Sequence, residues 1–190
     1  MEGIRRLWPT ERAQLRDLLL RLGPDERHER FGNPRSDAAI ESYVADLDWH
    51  RELVLGFFED GLLRGMAQLV PLDGLWPREA ELAVTVEPAW QSRGIGTELT
   101  RRTLLAARNL GITRVVSVCL MDNLRMQHIV RRLGARVTWA EGEADAVITL
   151  PPPTPFTLWD ELAAESQAGL AELTRRYVPV PPPSAGAAAG

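Results

Sequence analysis

Between a run that reads as a strand and a run that reads as a helix stands Gln91-Ser92-Arg93-Gly94-Ile95-Gly96-Thr97. Gly94 and Gly96 remove side chains where the chain turns into the helix. The amides of a helix's first turn have no partner within the helix, and its dipole favours an anion in front of them. Arg93 adds a full positive charge. These residue types in this order outline a cradle for a diphosphate. Two other phosphate cradles fit less well. Leu99 stands where Gly-x-Gly-x-x-Gly needs its third glycine, which disfavours a dinucleotide fold. The chain contains no lysine, which disfavours a P-loop.

The elements around this loop follow from pattern. Gly3 to Trp8 predicts a short strand. Pro9-Thr10 opens a helix with Thr10 as N-cap, and Gly23-Pro24 ends it. Asp25 to Phe31 predicts a second helical piece. Ser36 or Asp37 caps a third helix to about Leu47, with Ala39, Ile40, Tyr43, Val44 and Leu47 at helical spacing. Leu53 to Glu59 and Leu62 to Val70 are apolar runs about Asp60-Gly61, a strong hairpin signal. Glu79 to Val86 is a strand, followed by the glycine loop and a helix from about Thr97 to Leu110. Arg114 to Leu120 is a strand. Asp122 or Asn123 opens a helix that stops at Gly134. Val137 to Ala140 and Ala144 to Leu150 are two last strands about Glu141-Gly142-Glu143. Pro151-Pro152-Pro153 cannot continue a sheet. Phe156 to Tyr177 predicts a helix, and Pro179 to Gly190 a disordered Pro/Ala/Gly-rich tail. The expected organisation is one domain over 1–150, a helical extension over 151–178 and a tail over 179–190.

Composition narrows the function classes. Of 190 residues, 45% are hydrophobic and 25% charged, values of a globular chain. The net charge of −4 argues against broad nucleic-acid binding. No apolar run approaches the roughly 18 residues of a membrane span, and the N-terminus lacks a signal-peptide core. One cysteine, Cys119, excludes an internal disulfide and a multi-cysteine zinc site, and His28, His50 and His128 lack ligand spacing. A cytoplasmic, metal-free protein is expected. All 22 basic residues are arginine. Codon bias explains this, and so does a lysine-modifying enzyme that avoids modifying itself.

Gln91-Ser92-Arg93-Gly94-Ile95-Gly96 resembles the Gln/Arg-x-x-Gly-x-Gly/Ala signature of the GNAT acetyltransferases. Val84-Thr85-Val86-Glu87-Pro88 is similar to the strand end that leads into it, and Asn123 with its helix ending at Leu133-Gly134 is similar to the family's second cofactor-contacting region. The resemblance covers roughly residues 1 to 150. Arg27-His28-Glu29-Arg30-Phe31, Asp37-Ala38-Ala39-Ile40 and Glu81-Leu82-Ala83-Val84-Thr85-Val86 narrow it to the catalytic domains of bacterial protein-lysine acetyltransferases.

This resemblance implies a mixed α/β (α+β) GNAT fold. Its twisted, mostly antiparallel sheet of about seven strands parts between the fourth and fifth, with helices flanking it. Acetyl-CoA would lie in the gap. Val84 and Val86 would bond its pantetheine arm through the main chain, as would Asn123 near its helix start. The backbone of Gln91, Ser92, Arg93, Gly94, Ile95, Gly96 and Thr97 would hold the pyrophosphate. The reaction would be acetyl transfer to a primary amine, a protein lysine among the candidates, by direct attack in a ternary complex. Glu81 matches the family's glutamate base, and burial in its apolar strand would raise its pKa toward a useful value. Its other reading is a solvated residue on an alternating strand.

The family's tyrosine acid, seven residues after the asparagine, is replaced by Val130. Ser117, Cys119 and His128 are candidate substitutes, each with a structural reading beside it, and water suffices without any of them. Cys119 as an acetyl-carrying nucleophile is a minor alternative. On the acceptor side, Glu41, Asp46, Asp48, Glu59 and Asp60 are candidates to attract a cation, and Trp49, Trp76 and Trp90 to line a pocket or stack on one. Arg27 and Arg30 read as helix surface. Two other functions stay open: the same chemistry on a small-molecule amine, and a non-catalytic acyl-CoA-binding sensor or interaction module. A homodimer through the C-terminal extension is also left open.

Overall fold

The computed structural model describes residues 3–72, 74, 77–140, 143–163 and 166. Seven strands form one sheet: β1 (Ile4–Arg6), β2 (Leu53–Glu59), β3 (Leu62–Pro71), β4 (Glu79–Val86), β5 (Arg114–Leu120), β6 (Arg136–Ala140) and β7 (Glu143–Thr149). Their order is β1-β2-β3-β4-β5-β7-β6. Every neighbouring pair is antiparallel except β4 and β5, which run parallel. Five helices flank the sheet: α1 (Arg12–Arg21), α2 (Pro24–Phe31), α3 (Asp37–Ala45), α4 (Ile95–Asn109) and α5 (Leu124–Arg132).

Two apolar cores lie on opposite faces. On one, Leu15, Leu18 and Leu19 of α1 and Ile40 and Val44 of α3 pack with Val54, Phe58, Leu63 and Met66. On the other, Leu99, Leu104 and Ala107 of α4 and Met126 and Val130 of α5 pack with Leu55, Leu69, Leu82 and Val115. Full burial of each leucine contributes about 1.5–3 kcal/mol. Leu99, at the position of the missing third glycine, is therefore a core anchor.

Local chemistry explains the connections. Asp60 (φ 53°) and Gly61 (φ 75°) both take left-handed backbone, the geometry of a tight hairpin turn between β2 and β3. Ser36 caps α3 by accepting from the Ala39 N–H at 3.3 Å. The expected first helix starts differently. Pro9–Glu11 forms a 3₁₀ turn, and the Glu11 carboxylate accepts from the Trp8 N–H at 3.1 Å. Thr10 lies inside that turn and caps nothing, and β1 stops at Arg6 rather than Trp8. α4 begins two residues earlier than expected, because Gly94 at φ 80° supplies the N-cap conformation.

β4 and β5 part company early. They pair only at Glu79↔Arg114, Ala80↔Val115 and Glu81↔Val116. Beyond Glu81, β4 stays on β3 through Val86, and β5 stays on β7 through Leu120. The sheet therefore opens between its fourth and fifth strands while each side keeps its outer ladder.

After β7 the chain passes extended through 150–154 into helix α6 (155–163). This segment docks on the end of α4. Asn109 Nδ2 donates to the Thr157 carbonyl at 2.9 Å and to Glu161 Oε2 at 2.6 Å, and Arg108 Nε donates to the Pro152 carbonyl at 2.9 Å. The rest of the expected helix to Tyr177, apart from Ser166, lies outside the described residues, as do Trp76, the turn at 141–142 and the tail over 179–190. Among the described residues, no helix is long and apolar enough to cross a membrane.

Candidate active site

The gap between β4 and β5 exposes backbone, and strand alternation says which groups. The Glu87 N–H donates to the Arg64 carbonyl at 2.9 Å, and the Glu79 carbonyl accepts from the Leu72 N–H at 3.0 Å. Odd-numbered residues of β4 thus turn their N–H and C=O toward β3, and even-numbered ones toward β5. Val84 and Val86 fall on the parted side. On the other bank, the Thr113 carbonyl accepts from the Leu150 N–H toward β7, so Val118 and Leu120 face the gap.

Both banks end on a glutamine. Gln91 Nε2 donates to the Val86 carbonyl at 2.9 Å. Gln127 Nε2, buried, donates to the Leu120 and Met121 carbonyls at 3.2 and 2.9 Å. These bonds satisfy the last carbonyls of each bank. They leave the N–H and C=O of Val84 and of Val118, and the N–H of Val86 and of Leu120, without a ladder partner.

A cleft of about 440 Å³ opens along the β4 bank of this gap, between β4, the start of α4, and α5. Of the residues expected to hold the cofactor, Val84, Val86, Gln91, Ser92, Gly94, Gly96, Thr97 and Asn123 line it. At its floor, the first N–H to bond within α4 is that of Glu98, to the Gly94 carbonyl at 3.0 Å. No side chain caps the helix, so the amides of Ile95, Gly96 and Thr97 are open. A Cβ at Gly96 would stand 3.2 Å from Ile129 Cδ1, so the absent side chain leaves the cradle clear. Asn123 Oδ1 accepts from the Met126 N–H at 3.0 Å and so caps α5. Its amide NH₂ is left for the cleft.

Arg93 and Ile95 do not line the cleft. The Arg93 guanidinium stacks on Trp90, 4.7 Å from the ring centroid, and Ile95 packs against the core. Positive charge reaches the cleft from α5 instead. Arg125, His128 and Arg132 line it on one helical face. Glu98, the one acidic residue of the first turn of α4, is turned to Arg101 and Arg102 at 2.8 and 2.7 Å. The bond from Arg101 is the largest influence in holding its carboxyl down at about 2. Its charge is thereby compensated beside the anion cradle.

A second cleft, of about 410 Å³, lies beyond and shares Glu29 and Arg30 with the first. Glu81 lines it with Phe31, Arg35, Tyr43, Glu52, Gln68 and Val118. The expected burial of Glu81 does not hold: its side chain is exposed, because β4 presents it to the cleft and not to the core. Gln68, buried, joins the cluster together. It accepts from Tyr43 Oη and Arg30 Nη2 and donates to Glu52 Oε2.

The remaining candidates separate. Val130, in place of the tyrosine, is fully buried. Ser117 is buried and lines neither cleft, Cys119 reaches the second and His128 the first. Cys119 Sγ donates to the Ala144 carbonyl at 3.4 Å, and burial pushes its thiol pKa up. Of the acidic residues expected near the acceptor, none lines the second cleft, and Asp46 alone lines the hollow beside it. The acids that do line the second cleft are Glu29, Glu52 and Glu81. Trp49 packs in the α1–α3 core, while Trp90 packs on Phe57 and takes Arg64 and Arg93 on its ring. Sequence reasoning missed the face of α5 and the face of α2 formed by Glu26, Glu29 and Arg30. The signal for the first was there, as basic side chains three and four apart after Asn123. The second had a signal only in the resemblance of the run at 27–31, since by residue type alone α2 reads as plain surface.

A sheet parted between strands four and five, with open helix amides at one end, is the architecture that the resemblance to the GNAT acetyltransferases implies. Residues 5–136 match the model of the acetyltransferase (GNAT) domain, and the chain belongs to that family. Acetyltransferase Pat of Mycolicibacterium smegmatis is 37% identical over 129 residues, covering 64% of this chain and 37% of Pat. The match thus spans little more than a third of that relative's length. The GNAT domain of S. lividans PAT superposes with a TM-score of 0.68 at 19% identity, covering 77% of this chain and 89% of that one. The acetyltransferase yncA of Salmonella typhimurium, solved with its cofactor acetyl-CoA, superposes with a TM-score of 0.60 at 16% identity, covering 80% and 95%.

Proposed function

We propose that this chain transfers an acetyl group from acetyl-CoA to a primary amine within a ternary complex, donor in the first cleft and acceptor in the second. One observation carries the reading: two clefts meet at Glu29 and Arg30 across a gap whose backbone groups have no ladder partner.

The residues fit the donor. Unpaired strand backbone accepts an extended amide chain as it would a strand, so Val84 and Val86 would hold the pantetheine arm with help from Asn123. The open amides of Ile95, Gly96 and Thr97, with the backbone of Gln91, Ser92, Arg93 and Gly94, would hold the diphosphate at the positive end of α4. Arg125 and Arg132 would add the charge that Arg93 spends on Trp90. When bound, acetyl-CoA supplies an acetyl thioester, whose acyl group passes to the amine nitrogen as the thiol is released.

Glu81 is the base in this reading. An ammonium has no lone pair with which to attack, so a carboxylate at the acceptor cleft must take its proton. Glu81 lines that cleft and has no hydrogen-bond or ion-pair partner among the described residues. Water is sufficient to protonate the leaving thiolate where Val130 replaces the tyrosine.

Glu81→Gln tests the assignment. Turnover should fall by about 10²-fold or more, while acetyl-CoA binding measured by calorimetry stays within twofold. Unaltered turnover across pH removes Glu81 from the mechanism.

The acceptor reading as protein lysine is supported by the resemblance of the runs at 27–31, 37–40 and 81–86 to bacterial protein-lysine acetyltransferases, and small amines are its competitor. The buried Val130 favours the alternative of a non-catalytic acyl-CoA sensor. Thiol release with a panel of amines and lysine peptides separates these: saturable donor binding without any acceptor identifies the sensor. A cytoplasmic site of action belongs to the same reading. So does self-association through α6, supported by the exposed Phe156, Leu158, Trp159 and Leu162. Truncation after Leu150 would then lower the mass found in solution.

A further inference from the structure

The second cleft carries a free cation that amine acetylation alone has no use for. Its charged residues are mostly committed. Glu52 accepts from Gln68 and from the Asp48 N–H, the latter at 3.2 Å. Glu29 faces Arg125 Nη2 at 3.5 Å. Arg30 donates to Tyr43 Oη at 2.9 Å and to Gln68. Among the described residues, two of the cleft's charged side chains make no hydrogen bond or ion pair: Glu81 and the half-buried Arg35.

Arg35 is nevertheless held in place. Its guanidinium lies over Phe31 at 4.7 Å and over Tyr43 at 5.8 Å, which themselves pack edge-to-face at 5.2 Å. Stacking fixes the plane of the fork and leaves its in-plane N–H donors unspent. Such a fork matches the two oxygens of a carboxylate. Arg30, beside it on the same rings, keeps a buried Nε without an acceptor.

Electrostatics then restrict the acceptor. A fixed cation in a cleft that must admit an ammonium repels a simple amine. If the acceptor also carries an anion, the same cation attracts it. We propose that the acceptor bears a carboxylate near its amine, and that Arg35 binds the carboxylate while Glu81 receives the ammonium. This rests on the acetyltransferase reading above. The shared chemistry is an ammonium beside a carboxylate, presented by a free amino acid or by a lysine with an acidic neighbour in a peptide.

The test compares matched acceptors by thiol release with the full chain. One pair is amino acids against their amides. The other is lysine peptides with Asp or Glu beside the lysine against the same peptides with Asn or Gln. The wild-type protein should favour the carboxylate member by tenfold or more in kcat/KM in at least one pair, and that pair identifies the source. Arg35→Met, which keeps a long side chain over the rings, should raise KM for the carboxylate member by about tenfold. It should lower KM for the neutral member. Arg35→Lys should restore part of the preference. A misfolded variant cannot move the two KM values in opposite directions. Equal use of both members in both pairs overturns the Arg35 assignment and leaves acetyl transfer standing. Absence of turnover on every amine overturns both.

Discussion

Gln91 ties the glycine loop to the strand before it: its side-chain amide donates to the Val86 carbonyl at 2.9 Å. The bond closes the last carbonyl of β4 on the parted side and fixes the distance between the strand and the α4 amides. Gln127 does the same for the Leu120 carbonyl across the gap. The two glutamines hold the gap open as a defined slot.

Gln91→Ala should therefore weaken acetyl-CoA binding although the reading gives its side chain no contact with the donor. The loss should be about fivefold to tenfold, the worth of one hydrogen bond of roughly 1 kcal/mol. Calorimetric titration with coenzyme A measures it, and an unchanged Kd would show that the loop is held by other means.

Gly96→Ala should separate binding from folding. The added methyl meets Ile129 Cδ1 at 3.2 Å, and the end of a flexible side chain can give. Replacing glycine by alanine within a helix also favours the helix by about 0.5–1 kcal/mol. The melting temperature should hold or rise while the Kd for coenzyme A increases by about tenfold.

Cys119 should be dispensable and unreactive. Burial raises its thiol pKa, so the thiolate fraction at neutral pH is smaller than that of a free cysteine. Iodoacetamide should modify the folded protein slowly and the unfolded chain fast, as followed by mass spectrometry. Cys119→Ala should keep kcat within about twofold. Loss of turnover in that variant would revive the acetyl-cysteine route.

Glu98 should contribute to acid stability. Its folded carboxyl titrates at about 2, below the 4.5 of the free group, chiefly through its bond from Arg101. A depressed carboxylate stabilises the fold above its unfolded pKa, and that contribution fades as pH falls from about 4.5 toward about 2. The side chain is 37% exposed, so solvent screens the pairs. Glu98→Gln should cost only about 0.5 kcal/mol at pH 7. Denaturant melts of the two proteins should converge as pH drops through that window.

Much of the site was legible along the chain because local rules place it. Asp60-Gly61 forces its turn through two left-handed residues. β4 and β5 have the bounds their apolar runs predict, since alternation is a property of neighbouring residues. The open amides after Gly94 and the Asn123 cap follow from how any helix starts. What only the tertiary structure decided is where those pieces face. Glu81 sits in an apolar run yet points into a cleft, because the core packs against the other face of β4, that of Ala80, Leu82 and Val86. Arg93 stands in the signature yet stacks on Trp90. α5 brings Arg125 and Arg132 into its place, and α2 brings Glu29 and Arg30 to the junction of the clefts. These outcomes depend on contacts between segments far apart in sequence. Side-chain spacing within one element carries no record of which distant element will pack against it.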